Sequence, residues 1–260
     1  MSRVGTIARR TFLLGSAAIV GGVAFGYYLA HKAIPNPLLV DLKDGEAAIT
    51  PFVKIDASGV TLITPHADVG QGTTSLQAHL IAEELDVDPK KVKLSPGEPA
   101  QAYYNSEALG DAAPFPAFEH SWMGDQVRGV LSGITRIMGI QMTGGSTTAR
   151  NTYHRLRHAG AVARETLKEA AAKKLGVPRS ELKTADGHVI APDGKKIAYT
   201  ELAADAAKIP PVLDVTLRDP KEWRYLGKRI ERTDIVAKST ATQDYGIDVR
   251  LEGMLHATVR

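Results

Sequence analysis

Two short stretches hold the residue types best suited to chemistry. One is Gly70-Gln71-Gly72, followed by Thr73, Thr74 and Ser75; the other is Gly144-Gly145, followed by Ser146, Thr147 and Thr148. Glycine permits backbone conformations closed to other residues, and without a Cβ its N–H can approach a ligand closely. A helix starting at such a turn adds unpaired N–H groups and partial positive charge. These features suit a ligand rich in anionic or hydrogen-bonding oxygens, and Gln71 adds both a donor and an acceptor. Each stretch also has a simpler structural reading. Residues 70–72 can be a tight strand-to-helix turn, and Ser146 or Thr147 can cap the second helix. The recurrence favours a ligand, because two such turns can converge on one polyanion.

The elements around these turns follow from periodicity. "PFVKIDASGVTLITP" (51–65) alternates about Ser58-Gly59 and reads as a β-hairpin feeding the first turn. From Thr73, the residues Leu76, Leu80, Ile81 and Leu85 recur at helical spacing, with Thr73, Thr74 or Ser75 as cap and Asp88-Pro89 as stop. This pattern puts Glu83 and Glu84 on a solvated face. "KVKLSPG" reads as a strand, and 98–139 as a long irregular loop with one helix around 126–137. After the second turn, Leu156, Ala159, Ala163, Leu167, Ala170 and Leu175 form an apolar stripe that Gly176 and Pro178 end. Asp186-Gly187 and Pro192-Asp193-Gly194 mark turns between small β elements, a short helix follows from Thr200, and "VLDVTL" reads as a strand. The expected fold is α+β: mixed small sheets with two principal helices, each entered by a Gly-rich turn, behind a hydrophobic signal or anchor helix.

Composition narrows the function. The chain has 260 residues, 43% hydrophobic and 23% charged, with net charge +3 and no cysteine, which excludes disulfides, cysteine-ligated zinc and iron–sulfur clusters within it. Acids dominate 81–125 and bases dominate 150–180, but aromatic interleaving is missing, so no nucleic-acid partner is expected. The basic stretch reads instead as a solvated helix face or a contact for an acidic partner. There is no G-x-x-x-x-G-K-[ST] loop. His66, His79, His154 and His158 form no convincing metal-ligand set. At the amino terminus, Arg9 and Arg10 precede twenty uncharged residues, 11–30. That is the pattern of a twin-arginine export signal, long enough to remain as a membrane anchor.

Three ordered segments carry a family resemblance: "HADVGQGTTSLQAHLIAEELDVDPKKVKL", "QMTGGSTTARNTYHRLRHAGAVARETLKEAAAKKLGV" and "DPKEWRYLGKRIERTDIVAKSTATQDYGIDVRLEGMLHATV". They resemble the molybdopterin-binding large subunits of the exported xanthine dehydrogenase/aldehyde oxidase family, in the branch of the isoquinoline 1-oxidoreductase beta subunits. The resemblance covers nearly all of 45–260 and is weakest at 98–139. It implies a molybdenum–pterin cofactor, commonly the cytosine dinucleotide, and hydroxylation of an aldehyde or N-heterocycle with oxygen from water. Electrons would pass to a small ferredoxin-like subunit with two [2Fe–2S] clusters, and often on to a cytochrome c. Gly70, Gln71 and Gly72 match the family's pterin-contacting turn, and Gly145, Ser146, Thr147 and Thr148 match its second cofactor loop. The family's catalytic glutamate has no counterpart here and would lie beyond Arg260. The expected domains are a signal or anchor (1–33), a molybdopterin-binding α+β domain (34–230) and the start of a further domain (231–260). The rest of the large subunit, or a second chain supplying it, would complete a periplasmic enzyme that is inactive as this chain alone. The alternative is a membrane-tethered, non-catalytic binding or assembly protein derived from the fold.

Overall fold

The computed structural model describes residues 22, 24–29, 31–116 and 118–259. Arg9, Arg10 and most of 11–30 lie outside the described residues. Among those described, no helix is long and apolar enough to cross a membrane. Strands β1 (Ala47–Thr50), β2 (Val53–Asp56) and β3 (Gly59–Ile63) form an antiparallel meander, and β4 (Lys93–Ser95) joins β3 in parallel. The expected hairpin is β2–β3, paired Val53 to Leu62 and Ile55 to Val60. Between β3 and β4 runs helix α1 (Thr73–Leu85), so the first glycine turn sits on the connection of a βαβ unit.

Helices α2 (Trp122–Met138) and α3 (Thr147–Leu175) follow. Strands β5 (Lys183–Ala185), β6 (His188–Ile190) and β7 (Lys196–Ala198) make a second antiparallel sheet turned at the expected glycines. Helix α4 (Tyr199–Ala206) packs on α3 and reaches both sheets, and the buried Tyr199 hydroxyl donates to the Leu85 carbonyl at 2.8 Å. The short α5 (Ile235–Ser239) comes last. The fold is therefore α+β with small sheets, but among the described residues it has three long helices rather than two.

Helices α1 and α3 make the central contact. Leu156, Ala159, Ala163, Leu167 and Ala170 of the expected stripe are buried there with Leu80, Ile81 and Leu85. At Gly160 the helices come so close that a Cβ would lie 2.5 Å from the Ile81 carbonyl oxygen. Only glycine fits that crossing.

Three sequence expectations are corrected at this seam. Glu83 and Glu84 are fully buried, not solvated. Glu84 Oε1 accepts from Arg157 Nε and Nη2 at 2.9 and 2.7 Å, and its Oε2 lies 3.2 Å from Arg164 Nη1. So two arginines of the supposed basic face are buried counter-ions to a glutamate of the acidic stretch. Glu83 accepts the N–H groups of Arg224, Tyr225 and Leu226, and Glu84 accepts that of Arg218. The third correction concerns "VLDVTL", which is no strand. Its groups bond α3 side chains instead: Val212 N–H donates to Thr166 Oγ1, and Arg164 donates to the Thr216 carbonyl. Helix side chains thus take the place of a ladder.

Candidate cofactor site

The first turn is organised by Asp68. Its Oδ1 accepts the N–H groups of Gly70 and Gly72 at 2.8 and 3.2 Å, and its Oδ2 accepts that of Thr74 at 3.1 Å. Thr73, Thr74 and Ser75 do not cap α1. Gly72 holds the N-cap position in a left-handed conformation, and Asp68 reaches in from four residues upstream. Burial pushes the Asp68 carboxyl up, but the three N–H groups and the nearby Arg232 charge outweigh it and hold it below the usual carboxylate range. Gln71 also bends inward: its amide oxygen accepts from Val69 N–H at 2.6 Å and its nitrogen donates to the Ala67 carbonyl at 3.1 Å. From the far end of the chain, Arg232 donates to the Gly70 carbonyl at 2.6 Å, and Thr233 pairs with Ser75. The glycines at 70 and 72 are required by positive φ (113° and 86°) rather than by crowding. Two of the N–H groups expected to face a ligand are therefore held by a carboxylate of the chain itself.

The second turn is open where the first is filled. Gly145 and Ser146 both have positive φ, 56° and 55°, and Thr147 N–H closes the turn onto the Gly144 carbonyl at 3.1 Å. A left-handed serine costs roughly 1 kcal/mol. Ser146 holds the N-cap position of α3 but makes no side-chain cap bond. Thr147 does not cap either, since its hydroxyl donates to the Gly144 carbonyl and accepts from Asn105. The first-turn N–H groups of α3, which have no intrahelical acceptor, are thus left uncapped by side chains. Beside them Thr148 is 4% exposed, and its buried hydroxyl has no partner among the described residues.

The two turns are tied together by a residue that sequence reasoning passed over. His66 is buried, its Nδ1 lies 3.2 Å from the Met142 carbonyl, and Asn151 Nδ2 lies 2.9 Å from its Nε2. A carbonyl can only accept, so Nδ1 carries the proton and Nε2 accepts from Asn151. Burial, helped by the Arg155 charge, pushes the His66 pKa down and favours this neutral form. Gln77 of α1 clasps the His66 backbone on both sides at 3.1 and 3.0 Å. Asn105 bonds Met142 and Thr147, and Asn151 Oδ1 takes the N–H and hydroxyl of Ser106. The only sequence signal for His66 was its place between Pro65 and the turn.

The arrangement can bind an oxygen-rich ligand at the α3 end, with the first turn as a stiff neighbouring wall. A cavity of about 500 Å³ lies elsewhere, between 34–52, α3 and the chain after α4, and includes none of the seven expected site residues. Among the described residues no cluster of histidine, aspartate and glutamate could hold a metal ion.

No family model matches the chain. It is 27% identical over 293 aligned positions to the beta subunit of isoquinoline 1-oxidoreductase of Brevundimonas diminuta, covering 97% of this chain and 33% of that protein. A nicotinate dehydrogenase subunit of Pseudomonas putida is 29% identical over 84% of this chain and 15% of its own length. The membrane-bound aldehyde dehydrogenase [pyrroloquinoline-quinone] of Gluconacetobacter polyoxogenes is 26% identical over 96% of this chain and 29% of its own. The chain thus spans a third or less of the length of the curated relatives it matches. Quinoline 2-oxidoreductase from Pseudomonas putida 86 overlays 64% of this chain and 17% of its own at 22% identity, with a TM-score of 0.31, too loose to place residues. At 26–29% identity the chain is thus similar to proteins named as subunits of an isoquinoline oxidoreductase and a nicotinate dehydrogenase and as an aldehyde dehydrogenase.

Proposed function

We propose that the chain holds part of a molybdenum–pterin cofactor in an oxidoreductase that hydroxylates an aldehyde or an N-heterocycle. The observation that carries this reading is the paired turns bridged by His66 and Asn151, with an uncapped helix end and the unpartnered Thr148 hydroxyl on one side. That donor set fits the group, since helix-start N–H groups and a hydroxyl suit phosphate and pterin oxygens. When bound, the cofactor supplies the redox centre at which oxygen from water enters the substrate. The residues of this chain bind and orient it: α3 through its N-terminus and Thr148, and the 68–72 turn as a rigid wall with the exposed Gln71 at its tip.

The names of two relatives, an isoquinoline oxidoreductase and a nicotinate dehydrogenase, support an N-heterocyclic substrate. Glu83, Glu84 and Asp86 are all committed to arginines or backbone N–H groups, so the reaction's base is assigned outside this set. The cytosine dinucleotide form, the ferredoxin-like [2Fe–2S] partner, a cytochrome c acceptor, twin-arginine export and anchoring by 11–30 belong to the same proposal. A second reading comes from the third relative, whose name carries pyrroloquinoline quinone.

The test is molybdenum and pterin content of the complex isolated from its host, with and without Thr148→Val. Molybdenum and pterin that fall together in the variant, with thermal stability unchanged, support the reading. A complex free of molybdenum, or holding pyrroloquinoline quinone, overturns it.

A further inference from the structure

Helix α2 leaves much of its apolar side in solvent, with Val127 and Leu131 half-buried and Ile134 and Ile137 39% and 38% exposed. A surface helix normally turns its apolar stripe to the core and its polar face to water. Here only Gly124 and Thr135 are buried, and Arg128 beside them donates to the Pro116 carbonyl, so the small and polar side faces the body. Met123, Val130, Ile134, Ile137 and Met138 fall within an arc of about 100° on another side of the helix. Val130 is 63% exposed, Met123 59% and Met138 68%, and Trp122 stands at the start of the helix at 75%.

The end of α2 meets the end of the apolar amino-terminal stretch. Arg136 Nη2 donates to the Lys32 carbonyl at 2.6 Å, and Lys32 N–H donates to the Tyr28 carbonyl at 2.8 Å. On that segment Phe25, Tyr27 and Tyr28 are 62%, 66% and 57% exposed. Tryptophan, tyrosine and basic groups collect where acyl chains give way to headgroups. An amphipathic helix with large apolar side chains lies flat at that depth.

We propose that α2 is an interfacial helix lying on the surface of a lipid bilayer, seated there by its junction at Lys32 with the segment that carries Phe25, Tyr27 and Tyr28. The inference rests on the proposed membrane anchoring of 11–30 and adds a second contact to it. The body above would then be held at a fixed tilt to the membrane.

The chain has no cysteine, so one introduced thiol can be labelled cleanly. In the full chain, Val130→Cys on the apolar stripe and Ser132→Cys on the other side would each carry a polarity-sensitive nitrobenzoxadiazole label. Vesicles of phosphatidylethanolamine and phosphatidylglycerol are added, and flotation is scored in parallel. The expected result is a floating protein whose 130 label brightens several-fold and shifts to the blue while the 132 label changes little. A floating protein with an unchanged 130 label overturns the proposal and leaves the anchor standing. A protein that does not float overturns both. A 130 label that responds only when partner subunits are added assigns the stripe to protein contact and overturns the lipid reading.

Discussion

Replacing Glu84 with glutamine keeps the side-chain shape and removes one buried charge. Arg157 and Arg164 would remain, with side chains only 6% and 9% exposed, facing an amide where a carboxylate stood. Breaking a buried ion pair by removing one partner costs about 3–5 kcal/mol, mostly because the surviving charge is stranded. Arg218 N–H, shared between the carboxylate oxygens at 3.2 and 3.1 Å, would also meet an NH₂ group on one side. For a domain of this size each kcal/mol moves Tm by roughly 2–4 °C, so the variant should melt ~6–20 °C lower. The assay is thermal unfolding followed by circular dichroism, with Glu231→Gln as control. Glu231 pairs with Lys90 where both side chains are about 70% exposed, and its loss should leave Tm unchanged. A triple variant, Glu84→Leu with Arg157→Leu and Arg164→Met, should recover part of the loss: it strands no charge but leaves the Arg218 N–H and the Thr216 carbonyl without these partners. If Glu84→Gln melts within two degrees of the parent (roughly the effect of a surface change), the reading of Glu84, Arg157 and Arg164 as a stabilising buried cluster is refuted.

Three further outcomes are expected. Gly160→Ala should destabilise: its methyl would meet the Ile81 carbonyl at 2.5 Å, and overpacking of ~1–3 kcal/mol exceeds the helix-propensity gain of about 1 kcal/mol; an unchanged Tm would show that the helices can part freely. Burial lowers the pKa of His66 in the folded state, so its contribution to stability is full above the unfolded value near 6.5 and is lost as pH falls below it; the slope of Tm between about pH 7 and 5 should flatten in His66→Gln, and an equal slope would remove His66 as the source. Asp68→Ala should speed hydrogen exchange at the amides of Gly70, Gly72 and Thr74 by about tenfold, for a lost cap of ~1–1.5 kcal/mol, with little change elsewhere; uniform exchange across α1 would contradict a local role.

What the sequence could express was local. The β2–β3 hairpin, the start of α1 at Thr73, the stop of α3 at Gly176 and the turns at 186–187 and 192–194 all follow from short-range chemistry. Glu83, Glu84, Arg157 and Arg164 were misread because helical periodicity tells which side chains share a face, not what that face meets. Helix α1 is buried nearly all round, so its two glutamates carry no sign of exposure or burial until α3 and residues 218–226 are placed. "VLDVTL" has strand composition but lies where Thr166 and Arg164 already offer partners. At the site, the turns were visible as glycines with hydroxyls. The filling of one by Asp68 and the bridging of both by His66 depend on contacts that spacing does not encode.

The clasp between Glu83, Glu84 and residues 218–226 also has an order in time. A ribosome delivers Glu84 before its two arginines and delivers the Arg218 amide 134 positions later, while Arg232 reaches Gly70 only after 162. Until that late segment arrives, Glu83 has no N–H groups to hold and the first turn lacks its outer brace. A nascent chain short of residue 218 has the residues of both helices but none of the amides that hold Glu83, and the brace on the first turn waits for residue 232.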